Sequence, residues 1–185
     1  MITEAPYHFI GTEGTLSGNH LVHSEKRIAQ LKNIFADEAA RSAMDQNTLV
    51  YSVQAILPVE QGTEAGLFFG TTSIEPGTVN EEYFITQGHF HKVSNRAEYY
   101  WGIKGEGALI LMDRDRNCRA ESMRPGSLHY IPAHTAHRIA NTENTQLVFS
   151  ACWPSDAGYD YDEILNHGFS YRLLKRNGKP ELVKI

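Results

Sequence analysis

The chain has 185 residues, of which 41% are hydrophobic and 21% are charged, and its formal net charge is −5 at pH 7. This length and composition are typical of one globular domain. The negative charge disfavours a broad nucleic-acid or membrane surface, because both need clustered Lys and Arg. No apolar run approaches the roughly 20 residues of a membrane helix, and the N-terminus does not resemble a signal peptide. We therefore expect a cytoplasmic protein that binds neither nucleic acid nor membranes.

The first 47 residues predict an extended arm followed by one helix. Residues 1 to 23 show weak periodicity. Ser24 is a typical N-cap residue, and Ile28, Leu31 and Ile34 then recur at helical spacing. We expect an amphipathic helix from Ser24 to about residue 45, continuous or broken near Phe35 to Asp37, that covers one face of a sheet or a partner subunit. In this interpretation residues 1–47 pack as an extension on a domain formed by residues 48–185.

From residue 48 onward, short strand-like runs alternate with turns that contain Gly, Pro or Asn. The runs include TLVYSVQAIL, AGLFFGTTSI, AEYYWGIK, ALILMDR, CRAESM, SLHYIPA and TQLVFSACW. This spacing is typical of an all-β sandwich or barrel. Towards the C-terminus we expect a short helix around residues 160–166, ended by Gly168, and a final hairpin around the turn at 177–178.

Four residues form a candidate metal site. His89 and His91 are two positions apart, so on a strand both imidazoles point to the same face. Glu98 follows after a short polar segment, and His137 begins a later strand-like run, HRIAN. Three imidazoles and one carboxylate suit a divalent first-row transition metal.

The same segments carry a resemblance to a known family. GHFH followed by Glu98, and then GSLHYIPAHTAHR, resemble the two motifs of the cupin superfamily. That resemblance implies an all-β jelly roll or double-stranded β-barrel, here with an N-terminal helical extension, in which the four residues above bind one metal. TTSIEPG, AEYYWGIKGEG and WPSDAGYDYDEILNHGF are similar to the cupin-type glucose-6-phosphate isomerases over roughly residues 48–175. PSDAGYDYDEI is the strongest part, because ordinary cupins lack it.

The resemblance implies a metal-dependent aldose–ketose isomerase that interconverts glucose 6-phosphate and fructose 6-phosphate. The expected cofactor is one divalent transition metal per subunit, with iron first and manganese, zinc, nickel or cobalt as alternatives. The expected partners are a phosphorylated hexose and a second copy of the chain in a homodimer.

A phosphate site can also be predicted. Thr72, Thr86 and the Gly88 amide supply short hydroxyls and a backbone donor near strand ends, and such groups hold a phosphate without a large basic patch. The family has phosphate contacts at matching positions. Tyr51 is a further candidate substrate contact.

Three residues are predicted to take part in catalysis. Glu98 is the expected base of an enediol route, although a carboxylate held by a dication loses basicity; a direct hydride shift is the other route. Tyr100 lies two residues further along the strand and should face the same side. Tyr161 matches a substrate-contact position of the family. Tyr159 and Trp153 stand where the family often has His and Tyr, and we expect both to contact the substrate.

Two other functions fit the same ligands. A metal-dependent oxygenase would need a redox-active iron and no phosphate donors, so Thr72, Thr86 and Gly88 argue against it. A sugar-binding cupin without catalysis would not need all four ligands, although a silent metal site is compatible with them.

Overall fold

A computed structural model describes residues 2–185, and it consists mainly of antiparallel β-strands, which confirms the all-β fold class. Within these residues the strands are β1 Tyr7–Ile10, β2 Thr15–Gly18, β3 Leu21–Arg27, β4 Leu49–Ile56, β5 Leu67–Ile74, β6 Thr78–Val79, β7 Glu82–Tyr83, β8 Glu98–Lys104, β9 Gly107–Met112, β10 Cys118–Met123, β11 Leu128–Ile131, β12 Ala136–Asn141, β13 Leu147–Pro154, β14 Tyr171–Arg176 and β15 Lys179–Lys184. The α-helices in this range are α1 Glu38–Ala43 and α2 Asp162–His167. No helix in the described part of the chain is long and apolar enough to cross a membrane.

Two layers of strands enclose the core. The first layer is a six-stranded sheet in the order β11-β8-β13-β5-β4-β3. The second layer contains the β10-β9-β12 sheet and the β15-β14-β7-β6 sheet, and a bridge between Ile85 and Ala140 links the two. Strand β9 is buried along its whole length. This is the double-stranded β-barrel that the motifs predict.

The predicted N-terminal helix is wrong. Leu21–Arg27 is strand β3, which pairs with β4, and only a 3₁₀ turn at Ile28–Gln30 and the six-residue helix α1 follow it. The apolar residues of the pattern are nevertheless buried, since Ile28, Leu31 and Ile34 are at most 3% exposed. The spacing therefore predicts burial correctly and secondary structure wrongly.

Contacts with other elements hold this segment without a regular helix. The Ile28 amide donates to the carbonyl of Thr48 at 3.0 Å, and the buried Glu82 carboxylate accepts from the Ala36 amide at 2.7 Å. These backbone donors are satisfied by partners outside the segment, so helical hydrogen bonds are not needed to compensate their burial. The division of the chain at residue 47 stays a prediction; in the structure, β3 and β4 from its two parts share one sheet.

The C-terminal predictions are confirmed. Helix α2 ends at Gly168, whose φ of +64° lies in the region that glycine favours. Strands β14 and β15 pair as a hairpin around Asn177 and Gly178, which both have positive φ, as a tight hairpin turn requires.

Candidate active site

The fold brings the four predicted metal ligands together. His89 and His91 lie in the extended segment after β7, Glu98 is the first residue of β8, and His137 lies in β12. One ligand atom from each residue can be chosen so that all four lie within 4.8 Å of one another. Residues that are up to 48 positions apart in sequence therefore form one cluster inside the barrel.

Backbone pairing places the two histidines of the HxH segment. His89 bridges to His137 of β12, with amide-to-carbonyl distances of 3.1 and 3.3 Å. The intervening Phe90 is buried, and the guanidinium of Arg114 lies 3.8 Å from its ring centre. Because side chains alternate along an extended chain, the burial of Phe90 on the other side leaves His89 and His91 facing the same way.

A second set of contacts orients His91. Its Nδ1 lies 2.9 Å from the carbonyl oxygen of Arg96, and its Nε2 lies 3.1 Å from Glu98 Oε1. The Arg96 guanidinium donates to both oxygens of Asp156, at 2.9 and 2.7 Å. A carbonyl can only accept, so Nδ1 carries a proton, and in the neutral imidazole Nε2 then has the lone pair that can bind a metal.

The electrostatics of the cluster fit a cation. Burial and the nearby His137 lower the pKa of His89, which favours its neutral, ligating form. Burial opposes ionisation of Glu98, but His137 and His91 outweigh it and lower the pKa of this carboxyl, so it is a carboxylate. Nε2 of His137 lies 2.7 Å from Glu98 Oε1 without forming a well-aligned hydrogen bond, and it is a buried nitrogen with no hydrogen-bond partner in residues 2–185. A bound dication would satisfy that nitrogen.

The metal cluster lies in the wall of a cavity of about 330 Å³, a volume that suits a small-molecule ligand. All the other predicted site residues also line this cavity: Tyr51, Thr72, Thr86, Gly88, Tyr100, Trp153, Tyr159 and Tyr161. The structure therefore places the whole predicted set around one space.

Aromatic rings surround the metal ligands. Tyr159 and Tyr161 stack on each other with ring centres 5.5 Å apart, and His89 contacts both rings edge-on. Tyr100 stacks on Phe149, and its ring centre lies 5.6 Å from that of His137. Burial raises the pKa of all three tyrosines, so each phenol keeps its proton and can donate a hydrogen bond.

Two of the predicted phosphate donors, Thr86 and Gly88, lie on the segment that precedes the histidines, whereas Thr72 lies in β5. The Thr86 hydroxyl accepts from the Ile139 amide at 3.0 Å, so its own proton remains free to donate. The Gly88 amide has no hydrogen-bond partner among residues 2–185. The Tyr51 hydroxyl lies 3.4 Å from the amide nitrogen of Gln87, and burial raises the pKa of Tyr51 to about 12.

Gly88 is also required by local structure. Its φ is +76°, and a Cβ built there would lie 2.9 Å from Phe169 Cε2 and 3.0 Å from Arg138 Cβ. Glycine at this position therefore allows a positive-φ backbone and a tight packing contact without strain, in addition to a close approach of the backbone to a ligand.

Comparison with known proteins identifies the family. The model of the glucose-6-phosphate isomerase (GPI) family matches residues 25–184. The chain belongs to this family. The resemblance read from the motifs is thereby confirmed, and the match also includes the end of β3 and the segment after it.

Relatives with curated names agree with this assignment. The glucose-6-phosphate isomerase of Thermococcus kodakarensis is 40% identical over 159 residues, which cover 85% of this chain and 83% of the relative. That of Sinorhizobium medicae is 40% identical over 147 residues, or 78% of this chain and 68% of the relative. Among solved structures, oxalate decarboxylase from Bacillus subtilis is similar, with a TM-score of 0.46 and 19% identity over 60% of this chain and 27% of that one.

One wall of the cavity, formed by β3, was not predicted from the sequence. Val22, Ser24 and Lys26 of β3 line it, next to Tyr51 and Val53 of β4. These three residues are two positions apart, as residues on one face of a strand are. The apolar residues that follow have helical spacing, and this pattern favoured a helix instead. No role was therefore predicted for Lys26.

Proposed function

We propose that this protein is a metal-dependent aldose–ketose isomerase that interconverts glucose 6-phosphate and fructose 6-phosphate. The observation that carries the proposal is the buried cluster of His89, His91, Glu98 and His137 beside a ligand-sized cavity, in a chain of the GPI family. The proposed cofactor is one divalent transition metal per subunit, iron in the first place. Bound there, it would act as a Lewis acid on the sugar oxygens.

The phosphate of the open-chain sugar is held at the segment before the histidines. Thr86 donates through its free hydroxyl proton, and Gly88 donates through its unpaired amide. Thr72, on the opposite sheet, also lines the cavity and donates through its hydroxyl. These contacts fix the sugar at one end, so that C1 and C2 reach the residues around Glu98 in a defined orientation.

Glu98 is the proposed proton carrier of an enediol route. Its carboxylate takes the proton from C2 of the aldose and returns it to C1, while the hydroxyl proton of O2 moves to O1. A carboxylate held by a dication is a weak base, so Glu98 can take the proton only when its own bond to the metal weakens during turnover. The Tyr100 and Tyr161 phenols donate hydrogen bonds that orient the sugar oxygens.

A coupled assay tests the function. Fructose 6-phosphate is supplied, and glucose 6-phosphate is detected by its dehydrogenase, before chelation, after chelation and after addition of each candidate metal. We expect turnover that chelation removes and a metal restores. His137→Ala should lose metal and activity together. The matched control is His134→Asn, at an exposed histidine outside the cavity whose φ of +63° suits Asn.

Other outcomes point to other functions. A metal-replete protein that takes up oxygen instead of forming glucose 6-phosphate is a cupin oxygenase. One that binds the sugar phosphate without turnover is a non-catalytic binding protein. Running the reaction in D₂O separates the two isomerase routes, because deuterium enters the product through an enediol and does not enter it through a hydride shift.

We also propose a homodimer in the cytoplasm, with the outer face of the six-stranded sheet as the interface. Leu128, Tyr130 and Tyr99 are exposed on this face by 66%, 51% and 48%, and β11 leaves one sheet edge unpaired. Light scattering after gel filtration should give twice the chain mass. Tyr130→Glu should give a monomer, whereas Leu165→Glu, at an exposed leucine of α2, should not. A monomeric wild type would refute the interface.

A further inference from the structure

Strand β3 supplies a cavity wall with one cation. Its cavity-lining residues are Val22, Ser24 and Lys26, which alternate along the strand and therefore share a face. Lys26 is the only Lys or Arg among the lining residues in the described part of the chain. In a protein whose net charge is −5, a lysine on this face is not explained by a generally basic surface.

No carboxylate neutralises this lysine. Its neighbours Glu25 and Arg27 form an ion pair with each other at 2.5 Å. Within residues 2–185 Lys26 has no ion pair of its own, and its side chain is half-buried. Partial burial without a counterion is unfavourable for an ammonium unless a ligand supplies the charge.

The position of Lys26 matches the phosphate end of the cavity. Lys26 pairs across the strands with Tyr51, whose hydroxyl contacts the amide of Gln87, the residue between Thr86 and Gly88. Tyr100, whose ring lies beside that of His137, is offset from this position along the strands. In the register of the six-stranded sheet, Tyr100 of β8 is aligned through Ala151 and Gly70 with Ala55 of β4. Ala55 is four residues from Tyr51, the partner of Lys26.

Lys26 and Tyr100 therefore line the same cavity from positions that are offset by four residues along the strands, or about 13 Å in the strand direction. A sugar whose C1 and C2 lie near Glu98 and Tyr100, and whose phosphate meets Thr86 and Gly88, extends towards the Lys26 side of the cavity.

We propose that Lys26 is the residue that selects phosphorylated over neutral sugars, by forming a charge-assisted hydrogen bond to the phosphate. The inference rests on the proposed isomerase function and adds a specificity residue to it. Hydroxyl and amide dipoles at Thr72, Thr86 and Gly88 orient a phosphate, but they supply no net charge against a dianion. An ammonium supplies that charge, and a neutral sugar makes no comparable contact with it.

The test compares Lys26→Met, which keeps the length of the stem and removes the charge, with Lys26→Arg and Lys179→Met. Lys179 is an exposed lysine of β15 and serves as the matched control. Metal content is measured first, and it should equal that of wild type in all three. For Lys26→Met we expect the KM for fructose 6-phosphate and the Ki of inorganic phosphate to rise about 10- to 100-fold, with kcat within about threefold. Lys26→Arg should recover most of this loss, and Lys179→Met should show none.

Calorimetry with ligands that do not react tests the role of Lys26 separately from the isomerase function. Metal-loaded wild type is titrated with sorbitol 6-phosphate and with sorbitol, and Lys26→Met should weaken binding of the first and leave the second unchanged. Equal affinity of Lys26→Met and wild type for sorbitol 6-phosphate overturns the role of Lys26, whatever the activity. A wild type that binds sorbitol 6-phosphate through Lys26 but never forms glucose 6-phosphate retains this inference and loses the isomerase function.

Discussion

Gly88→Ala should destabilise the protein by more than a strained backbone alone would. The residue has a φ of +76°, a backbone conformation that is strained for alanine because of its Cβ. In addition, that Cβ would lie 2.9 Å from Phe169 Cε2, 3.0 Å from Arg138 Cβ and 3.2 Å from the His137 carbonyl oxygen. Phe169 and Arg138 are both nearly fully buried, so neither can move aside into solvent.

The chain contains a control with the same backbone angle. Gly178, in the hairpin turn between β14 and β15, also has a φ of +76°, and a Cβ there would meet nothing within 4 Å. Gly178→Ala should therefore show the conformational penalty alone, about 1 kcal/mol. Gly88→Ala adds overpacking of about 1–3 kcal/mol, which gives a total of about 2–4 kcal/mol.

Denaturant unfolding in the presence of a chelator measures both variants, because bound metal would otherwise change the apparent stability. In thermal scans we expect melting temperatures lower by roughly 2–4 °C for Gly178→Ala and roughly 4–16 °C for Gly88→Ala. If the two substitutions reduce the free energy of unfolding equally at unchanged m-values, the packing around Gly88 does not resist a Cβ and the reasoning fails.

Three further substitutions test the site. Asp156→Asn removes the charge that holds Arg96 and should weaken metal affinity, measured by competition with a chelator, by about 10-fold; unchanged affinity would mean that the carbonyl orients His91 without this ion pair. Thr86→Val should raise KM for fructose 6-phosphate, whereas Thr86→Ser should keep it near the wild-type value. If both variants have the same KM, the Thr86 hydroxyl does not bind the phosphate. Glu98→Gln should lower kcat by about 10²–10⁴-fold in protein with measured metal content. Near-normal turnover with metal retained would show that Glu98 does not carry the proton.

Most of the barrel was predictable because its strands are marked at both ends. The strand-like runs from residue 48 onward are bounded by Gly, Pro or Asn, and the positive φ values at Gly77, Gly105 and Gly126 lie in these boundary turns. Around β3 the local signals conflict. Ile28, Leu31 and Ile34 have helical spacing, yet the amides of Leu31 and Ile34 make only short-range bonds to Ile28 and Leu31. The Ile28 amide instead donates to Thr48, just before β4, and the Ala36 amide donates to the side chain of Glu82 in β7; no local pattern reveals these partners.

The candidate metal site was predictable for a different reason. The site combines an HxH pair, an acid and a later histidine, which is a rare combination of residue types. The residue types therefore indicate a shared site even though the sequence gives no distances between them. Lys26 offered no such signal, because an isolated lysine in a sequence is usually solvated. Only the pairing of β3 with β4 shows that it faces the same cavity as Thr72 and Tyr51.

The candidate metal ligands and the tyrosines of the cavity belong to segments that are coupled through the backbone. Phe90 and Asp160 exchange amide-to-carbonyl hydrogen bonds at 3.2 and 2.8 Å, and the Val93 amide donates to Ala157 at 2.9 Å. The ion pair between Arg96 and Asp156 lies just beyond this short ladder. This ion pair is partly buried near the surface, where such pairs contribute little to stability, but one partner also presents the carbonyl that orients His91. The pair is therefore expected to act on geometry more than on folding: its loss should change metal affinity and the placement of Tyr159 together, while the melting temperature changes little.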